Sequence, residues 1–565
     1  MSKINFINED FNKWKEAFLN FNNLNKDFLI NDYEVDYEID KLKDVDKGAD
    51  LVIEHINNNK RILLVTDYDC DGISSAIVLT KFFRDNLQYE NFSTLLNRRK
   101  QGNGFNKTLM GKIMELNEEN QIDLIITADH GSSDDEAFGI LKLNNIKVIV
   151  TDHHEIPLPL KNPDVFINPM RNDSEYYKHI SGCHTAFLLC VSVWKKLNND
   201  LKGLDNLLPY VAISTVVDQM PMTNKHNRNC VKTGLNYINK NADKSFEVFK
   251  TKAKIGYVIR SKDIGFKIGP FFNSGNRTNI EDKIFEAFTL EDLNAIEDRM
   301  NFGLLNNQRR KDEQKKSMFE IRQHLEQMYP NLDNVFAVAL ELNSTFGIAG
   351  PIASTVGNDI NRPTIVFKES FDPEIISGSG RAIIEHDVLQ TLKRLEKDRP
   401  DMVLKLGGHS KAFGIEIKAS LLPEFRVLFS DYIKQDIGSI PETTFNVIAK
   451  VKPLDIGLDL FLETEEFGPY GNNYQEPLFY SELEYVRSYD VGSGLSIVFK
   501  RSNKSEINGL YFFGGNGISK KAFTENIKSE MKCGVVYSLN LNSYYTTSRM
   551  RYDISLDIKD IKLLN

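Results

Sequence analysis

The stretch Leu63–Ala76, LLVTDYDCDGISSA, sets the reading of the chain. An apolar, strand-like run leads into three alternating carboxylates, Asp67, Asp69 and Asp71. A glycine and small residues that can open a helix follow at once. An α/β sheet holds its ligands at the carboxyl ends of its strands, which is where this order of residues puts the acids. Three acids packed there repel one another unless cations sit between them, because burying unpaired charge is costly. A solvated acidic turn would carry the same letters, so the rest of the chain has to decide.

Working outward, Arg61 to Thr66 reads as a buried strand and Ile73 to Phe83 as the helix after it. Strand-like runs recur at Ile122–Thr127 and Ile146–Thr151, with a helix-compatible stretch near Glu136–Leu143 between them. Strands separated by helices of that size predict parallel βαβ units. Each run is followed by an acid (Asp67, then Asp129 in TADHG, then Asp152 in TDHHE), and parallel strands would gather these acids along one rim. Asp218, after the apolar run VAISTVV, can reach the same rim from further along. A lone histidine is ordinarily a surface or hydrogen-bonded residue. The adjacent pair His153 and His154 beside several convergent acids points instead to a metal ligand. Oxygen-rich sites with one imidazole suit Mn²⁺ or Mg²⁺ better than zinc. So many carboxylates call for two ions, the arrangement that activates a water and stabilises both oxygens of an in-line displacement at phosphorus.

A chain of 565 residues exceeds one core, so several domains are expected. The pattern divides into a polar N-terminal arm (1–50), an α/β domain with a parallel sheet (51–288) and a long connecting helix (289–330). A second α/β domain (331–435) and a C-terminal OB-like β-barrel (436–565) follow. With 41% hydrophobic and 26% charged residues the composition is that of a soluble protein. No apolar run is long enough to span a bilayer, so no membrane partner is expected. The start, MSKINFINEDFNKW, has acids where a signal peptide needs an apolar core, which predicts a cytoplasmic protein. Five cysteines at no zinc-like spacing predict free thiols. A net charge of -9 argues against nonspecific coating of nucleic acid, while a local basic groove stays open. Arg309, Arg310, Lys311, Lys315 and Lys316 on the connecting helix could line such a groove or be a solvated helix face.

DYDCDG, TADHG, TDHHE and VVDQMP, in this order, resemble the successive motifs of the DHH phosphoesterase superfamily. GGHSKAFG (407–414) is similar to the signature of the companion DHHA1 domain. Within the superfamily NRRKQGNGF (97–105), GPFFNSGNR (269–277), GSGRA (378–382) and FGPYGNNYQEPLF (467–479) resemble the RecJ family of single-strand exonucleases. That resemblance implies Asp67, Asp69 and Asp71 as ligands from the first motif, Asp129 as the bridge between two ions, and His153 with Asp218 completing the ligands of the second ion. It also implies Asp152 as the group that orients His153, His154 facing substrate, and His409 on a glycine-rich turn at the scissile phosphate beside Gly408. Arg98, Ser379 and Arg381 match positions that grip a 5′-terminal phosphate, and Arg277 matches a strand-contacting arginine. Guanidinium groups bind phosphate in bidentate fashion, and neighbouring glycines would let backbone N–H groups approach the same anion. For isolated arginines, surface ion pairs are the competing reading.

The activity implied is 5′→3′ hydrolysis of single-stranded DNA to 5′-mononucleotides, with two Mn²⁺ or Mg²⁺ ions as cofactors. The implied partners are a 5′-phosphorylated single strand and a single-strand-binding protein or helicase. Two alternatives remain: a phosphodiesterase for short oligonucleotides or cyclic dinucleotides, and a non-catalytic single-strand binder. Of Tyr470, Tyr474, Tyr544 and Tyr545, some are expected to stack unpaired bases and some to belong to the barrel's own core. The sequence departs from the RecJ pattern at Asn103, at His130, at Cys183-His184-Thr185 and at Ser344-Thr345.

Overall fold

The structure, a computed structural model, describes residues 3–29, 37–99, 102, 104–200, 202–240, 243–255, 258–278, 280–344, 347–370, 372–383, 386–408, 410–491, 494–502, 505–512, 520–545 and 550–564. His409, Asn103 and Thr345 lie outside these residues, as do the side chains of Tyr544 and Tyr545. The chain forms two compact units. One comprises residues 26–308 with 465–476, and the other comprises 1–25, 309–464 and 477–565.

The first unit is built on a parallel sheet of five strands in the order Phe92–Leu96, Ile62–Thr66, Leu124–Ala128, Lys147–Thr151, Val165–Ile167. Every residue of Ile62–Thr66 and Leu124–Ala128 is buried, as expected of strands covered on both faces. Thr66 pairs with Ala128 and Ala128 with Thr151, so these strands end level with one another. The pairing runs one residue further: the N–H of Asp67 donates to Ala128 (3.3 Å), that of Asp129 to Thr151 (3.1 Å) and that of Asp152 to Ile167 (3.1 Å). Leu63, Val65, Ile125, Val148 and Val150 form a core with Leu109, Ile113 and Phe138 of the crossover helices. The helix after the first acidic motif starts at Cys70, three residues before Ile73, because the Asp69 carboxylate accepts the N–H groups of Asp71 and Gly72 and caps it. VAISTVV lies within a buried helix, Leu208–Val217, that delivers Asp218 at its C-terminal end.

A single 36-residue helix, Leu293–Met328, contains the boundary between the two divisions of the chain. Of its five basic candidates Arg310 is buried (6% exposed) and donates to Gln314 Oε1, while Arg309, Lys311, Lys315 and Lys316 face solvent. The second unit holds a mixed five-stranded sheet in the order Val403–Gly408, Ala412–Lys418, Ile375–Arg381, Thr364–Glu369, Val338–Glu341. It also holds a closed barrel of Phe479–Val491, Gly494–Ser502, Ser505–Phe512, Met550–Leu563 and Lys532–Tyr545, the last strand pairing back to the first. The N-terminal arm is structured: Lys3–Phe6 pairs in parallel with Thr444–Val447, and Trp14–Phe21 and Val45–Asn57 are helices. Among the described residues no helix is long and apolar enough to cross a membrane, and all five cysteines are free.

Candidate metal centre

The level strand ends bring Asp67, Asp129 and Asp152 to one rim, and the turns after them add Asp69, Asp71, His153 and His154. Asp218 joins from its helix end. Three overlapping groups each offer ligand atoms within 4.8 Å of one another: Asp67 with Asp69 and Asp129, Asp71 with His153 and Asp218, and Asp129 with His153 and His154. All six residues expected to bind metal are therefore in these groups, and Asp152 is in none.

His153 shows the polarity of the site. Its Nδ1 lies 2.8 Å from the carbonyl oxygen of Ile180, so this nitrogen carries the proton and Nε2 turns a bare lone pair toward the rim. Nε2 stands 3.3 Å from Asp129 Oδ1, 3.6 Å from Asp71 Oδ2 and 3.7 Å from Asp218 Oδ2. A lone pair facing three carboxylates is repulsive unless a cation lies among them. Burial keeps the His153 imidazole below its ordinary value, so protonation is opposed. Asp67 Oδ1 and Asp129 Oδ1 are buried with no hydrogen-bond partner. Burial first, then the neighbouring acids, push Asp67, Asp69, Asp129 and Asp218 above the usual carboxylate range. Hard oxygen donors, one imidazole and orphaned carboxylate oxygens fit Mn²⁺ or Mg²⁺.

Asp71 and Asp152, by contrast, have both carboxylate oxygens hydrogen-bonded. Asp71 accepts the N–H groups of Gly182 (2.7 Å) and Cys183 (2.8 Å), which open the helix Gly182–Asn198, and the hydroxyl of Ser214 (2.5 Å). The start of that helix comes so near that a Cβ on Gly182 would lie 2.6 Å from Asp129 Oδ1, so only glycine fits. Asp152 accepts the backbone N–H groups of His153 (2.7 Å), His154 (3.3 Å) and Ser132 (2.9 Å), and its Oδ1 lies 2.8 Å from His154 Nδ1. The expectation that Asp152 orients the His153 ring is thus corrected: the Ile180 carbonyl does so, and the carboxylate grips His154. The Asp152 contact raises the His154 imidazole to about 10 against the effect of burial, and the histidine in turn holds Asp152 well below the usual carboxylate range. His130 is buried behind the rim with Nε2 3.2 Å from the Val65 carbonyl. Ser214, Ser181 and the Ile180 carbonyl are parts of the site that sequence reasoning missed. Ser181 alone left a local sign, as a serine opening the apolar helix whose N-terminus it caps.

Arg98 follows the strand Phe92–Leu96 and forms an ion pair with Asp282. The turn after it is shaped by the buried Asn97 side chain, which donates to the carbonyls of Gly102 and Gly104 and accepts the Arg98 N–H. Arg277 is in the last turn of the helix Gly269–Thr278. Ser379, Arg381 and Gly408 belong to the other unit. There SGSGR is a strand with Ser377, Ser379 and Arg381 along one face, and Gly378 and Gly380 buried on the other. A Cβ on Gly380 would lie 2.1 Å from the Phe413 ring. The strand is paired on both sides, so these glycines admit core side chains and their N–H groups serve the ladder. Arg381 donates to the Gly380 carbonyl and makes no ion pair among the described residues. Gly408 has a φ of 123° and ends the strand Val403–Gly408. Tyr474 is fully buried and packs on Phe28 and Tyr470 ahead of the barrel, so it stacks no base.

Three family descriptions match the chain: the DHH family N-terminal domain over residues 61–215, the DHHA1 domain over 333–435 and the RecJ OB domain over 449–556. The single-stranded-DNA-specific exonuclease RecJ of Haemophilus influenzae is 25% identical over 540 residues, covering 89% of this chain and 88% of that protein. The protein of the same name from Escherichia coli is 26% identical over 480 residues, 80% of each. The crystal structure of RecJ in complex with Mn²⁺ from Thermus thermophilus shares the fold, with a TM-score of 0.76 at 20% identity over 99% of this chain and 79% of that one. The rim of acids on a parallel sheet and the matched domains define a DHH/DHHA1 phosphoesterase. Within that superfamily the chain is similar to the RecJ exonucleases along most of its length, and it carries a match to the RecJ OB domain.

Proposed function

We propose that this protein is a 5′→3′ exonuclease that hydrolyses single-stranded DNA to 5′-mononucleotides with two Mn²⁺ or Mg²⁺ ions. The observation that carries the reading is His153 Nε2 set among the carboxylates of Asp71, Asp129 and Asp218, beside the orphaned oxygens of Asp67 and Asp129. Asp67, Asp69 and Asp129 would hold one ion, and Asp71, Asp129, His153 and Asp218 the other. Such a pair of ions, when bound, activates a water and stabilises the attacking and leaving oxygens of an in-line displacement. The chain's own residues do the rest. Asp152 keeps His154 protonated and oriented, and the half-exposed ring can present an Nε2 proton to a phosphate oxygen. Arg98 grips the 5′ phosphate and Arg277 contacts the strand, while Ser379, Arg381 and His409 beside Gly408 are the phosphate-binding groups of the other unit. Asp282 holds Arg98 until the 5′ phosphate takes its place. A DNA substrate of this kind implies action in the cytoplasm, on strands supplied by a helicase or a single-strand-binding protein.

Incubation with Mn²⁺ and single strands labelled at the 5′ or the 3′ end tests the reading, with RNA, duplex and a dinucleotide alongside. Immediate release of the 5′ label as mononucleotide, with the 3′ label retained until the strand is short, is expected. Internal cuts, or hydrolysis of the dinucleotide alone, would overturn it.

A further inference from the structure

Arg228 is the largest fully buried side chain of the described residues, and no carboxylate pairs with it among them. Its guanidinium donates to three backbone carbonyls, those of Phe467 (2.9 Å), Gly468 (2.6 Å) and Pro469 (3.2 Å). It lies 4.4 Å from the centroid of the Phe28 ring and 5.5 Å from that of Tyr474. Taking an arginine out of water without an anion is costly, and a hydrophobic residue of the same volume would avoid that cost. What the arrangement gains is specification: a planar fork of donors accepts one backbone path for the segment it holds.

That segment leads to the metal centre. Asn472 donates from its side chain to the Gln219 carbonyl (2.6 Å), and its own carbonyl accepts the Met222 N–H (2.9 Å). Gly471 lies so near Met222 that a Cβ would come within 2.7 Å of Met222 Cγ. Gln219 is the residue after Asp218, and its left-handed φ of 55° turns the chain away from the helix end. Next to Arg228, Asn227 donates to the carbonyls of Pro221 (3.1 Å) and His179 (2.8 Å). His179 adjoins Ile180, whose carbonyl fixes the His153 ring. The two backbone paths that carry Asp218 and the anchor of His153 are thus tied to one point, the start of the helix Lys225–Lys240.

We propose that Asn227, Arg228 and the segment Phe467–Tyr474 form a clamp that positions Asp218 and His153 as a pair, and so tunes one of the two metal positions. The inference rests on the two-ion reading above. It makes Asn227, Arg228 and Asn472 positioning residues for the site. Groups that orient metal ligands from behind ordinarily change metal affinity about 10- to 100-fold when removed. The clamp touches neither Asp67 nor Asp69, so the ion held by them and Asp129 should be spared.

The test is Mn²⁺ titration of the full chain, with free ion followed by electron paramagnetic resonance, for wild type, Asn472→Ala, Arg228→Gln and Arg228→Lys. Asn472→Ala removes one exposed side-chain bond and keeps the fold even where Arg228→Gln lowers thermal stability. In Asn472→Ala and Arg228→Gln, one of two dissociation constants should rise about tenfold or more. The other should stay within about twofold, and Arg228→Lys should fall between. Both constants unchanged in Asn472→Ala, or both weakened equally, would overturn the clamp. If wild type itself bound no pair of Mn²⁺ ions, the two-ion reading would fall. Two ions in wild type and unaltered binding in the variants would remove the clamp alone.

Discussion

Asp67 and Asp152 follow strands on either side of Leu124–Ala128 in one parallel sheet, at the same level, yet their surroundings are opposite. Asp67 has a buried oxygen with no partner, and its carboxyl sits well above its ordinary range through burial and the nearby Asp69. Asp152 has both oxygens hydrogen-bonded and lies below that range beside His154. The rim is therefore divided. One half lacks positive charge and can take it from a cation, while the other already holds it as an imidazolium. Position after a strand does not separate a ligand from a positioning acid. For Asp67 and Asp152 the count of satisfied lone pairs does.

The division can be broken from each side. Asp129→Ala removes a carboxylate shared by two of the ligand groups and should lower activity about a thousandfold or more, near 4 kcal/mol of transition-state stabilisation. Circular dichroism should show the fold intact, and retained activity in Mn²⁺ would contradict the assignment. Asp152→Asn acts on the other half. It should leave Mn²⁺ binding within about twofold but reduce kcat by about 100-fold, because His154 loses the carboxylate charge that keeps it protonated. Loss of metal binding in this variant would erase the distinction. Arg98→Ala should raise KM about tenfold for 5′-phosphorylated strands and leave 5′-hydroxyl strands little changed. Equal effects on both substrates would remove Arg98 from the phosphate anchor.

The smallest effect is on stability with metal chelated. The folded-state values of Asp67, Asp129 and Asp218 are raised, so the folded chain binds more protons than the unfolded one above about pH 4. Their contribution is full below that pH and is lost as pH rises through the raised values, by at most about 1.4 kcal/mol per group and pH unit. Asp152 has the opposite sign, and its contribution is lost as pH falls below about 4. In chelator, Tm should therefore fall as pH rises above about 4 through the raised values, and Asp129→Asn should flatten that fall. An equal slope in both proteins would show that the rim acids are not the source.

Much of the rim was legible in the sequence, because a run such as LLVT followed by an acid carries both the strand and the end of the strand. The neighbouring strands Phe92–Leu96 and Val165–Ile167 were not, the first being partly polar and the second only 3 residues long. Asp71 read as a metal ligand, but its hydrogen-bond partners Gly182, Cys183 and Ser214 lie more than 100 residues away, where no local pattern reports them. The partner of Asp152 could not be read from TDHHE, since either histidine is within reach and only the Ile180 carbonyl decides between them. SGSGR misled for a related reason. Glycines that admit Phe413 to a sheet and glycines that cradle an anion are spelled alike. Arg310 and Tyr474 read as exposed binding groups, and tertiary packing buries both.

The most direct test is anomalous diffraction from crystals soaked in Mn²⁺. The account predicts two peaks, one among Asp67, Asp69 and Asp129 and one among Asp71, Asp129, His153 and Asp218, with the Asp152 carboxylate bound to neither and still on His154. A single peak, or an ion ligated by Asp152, would contradict it.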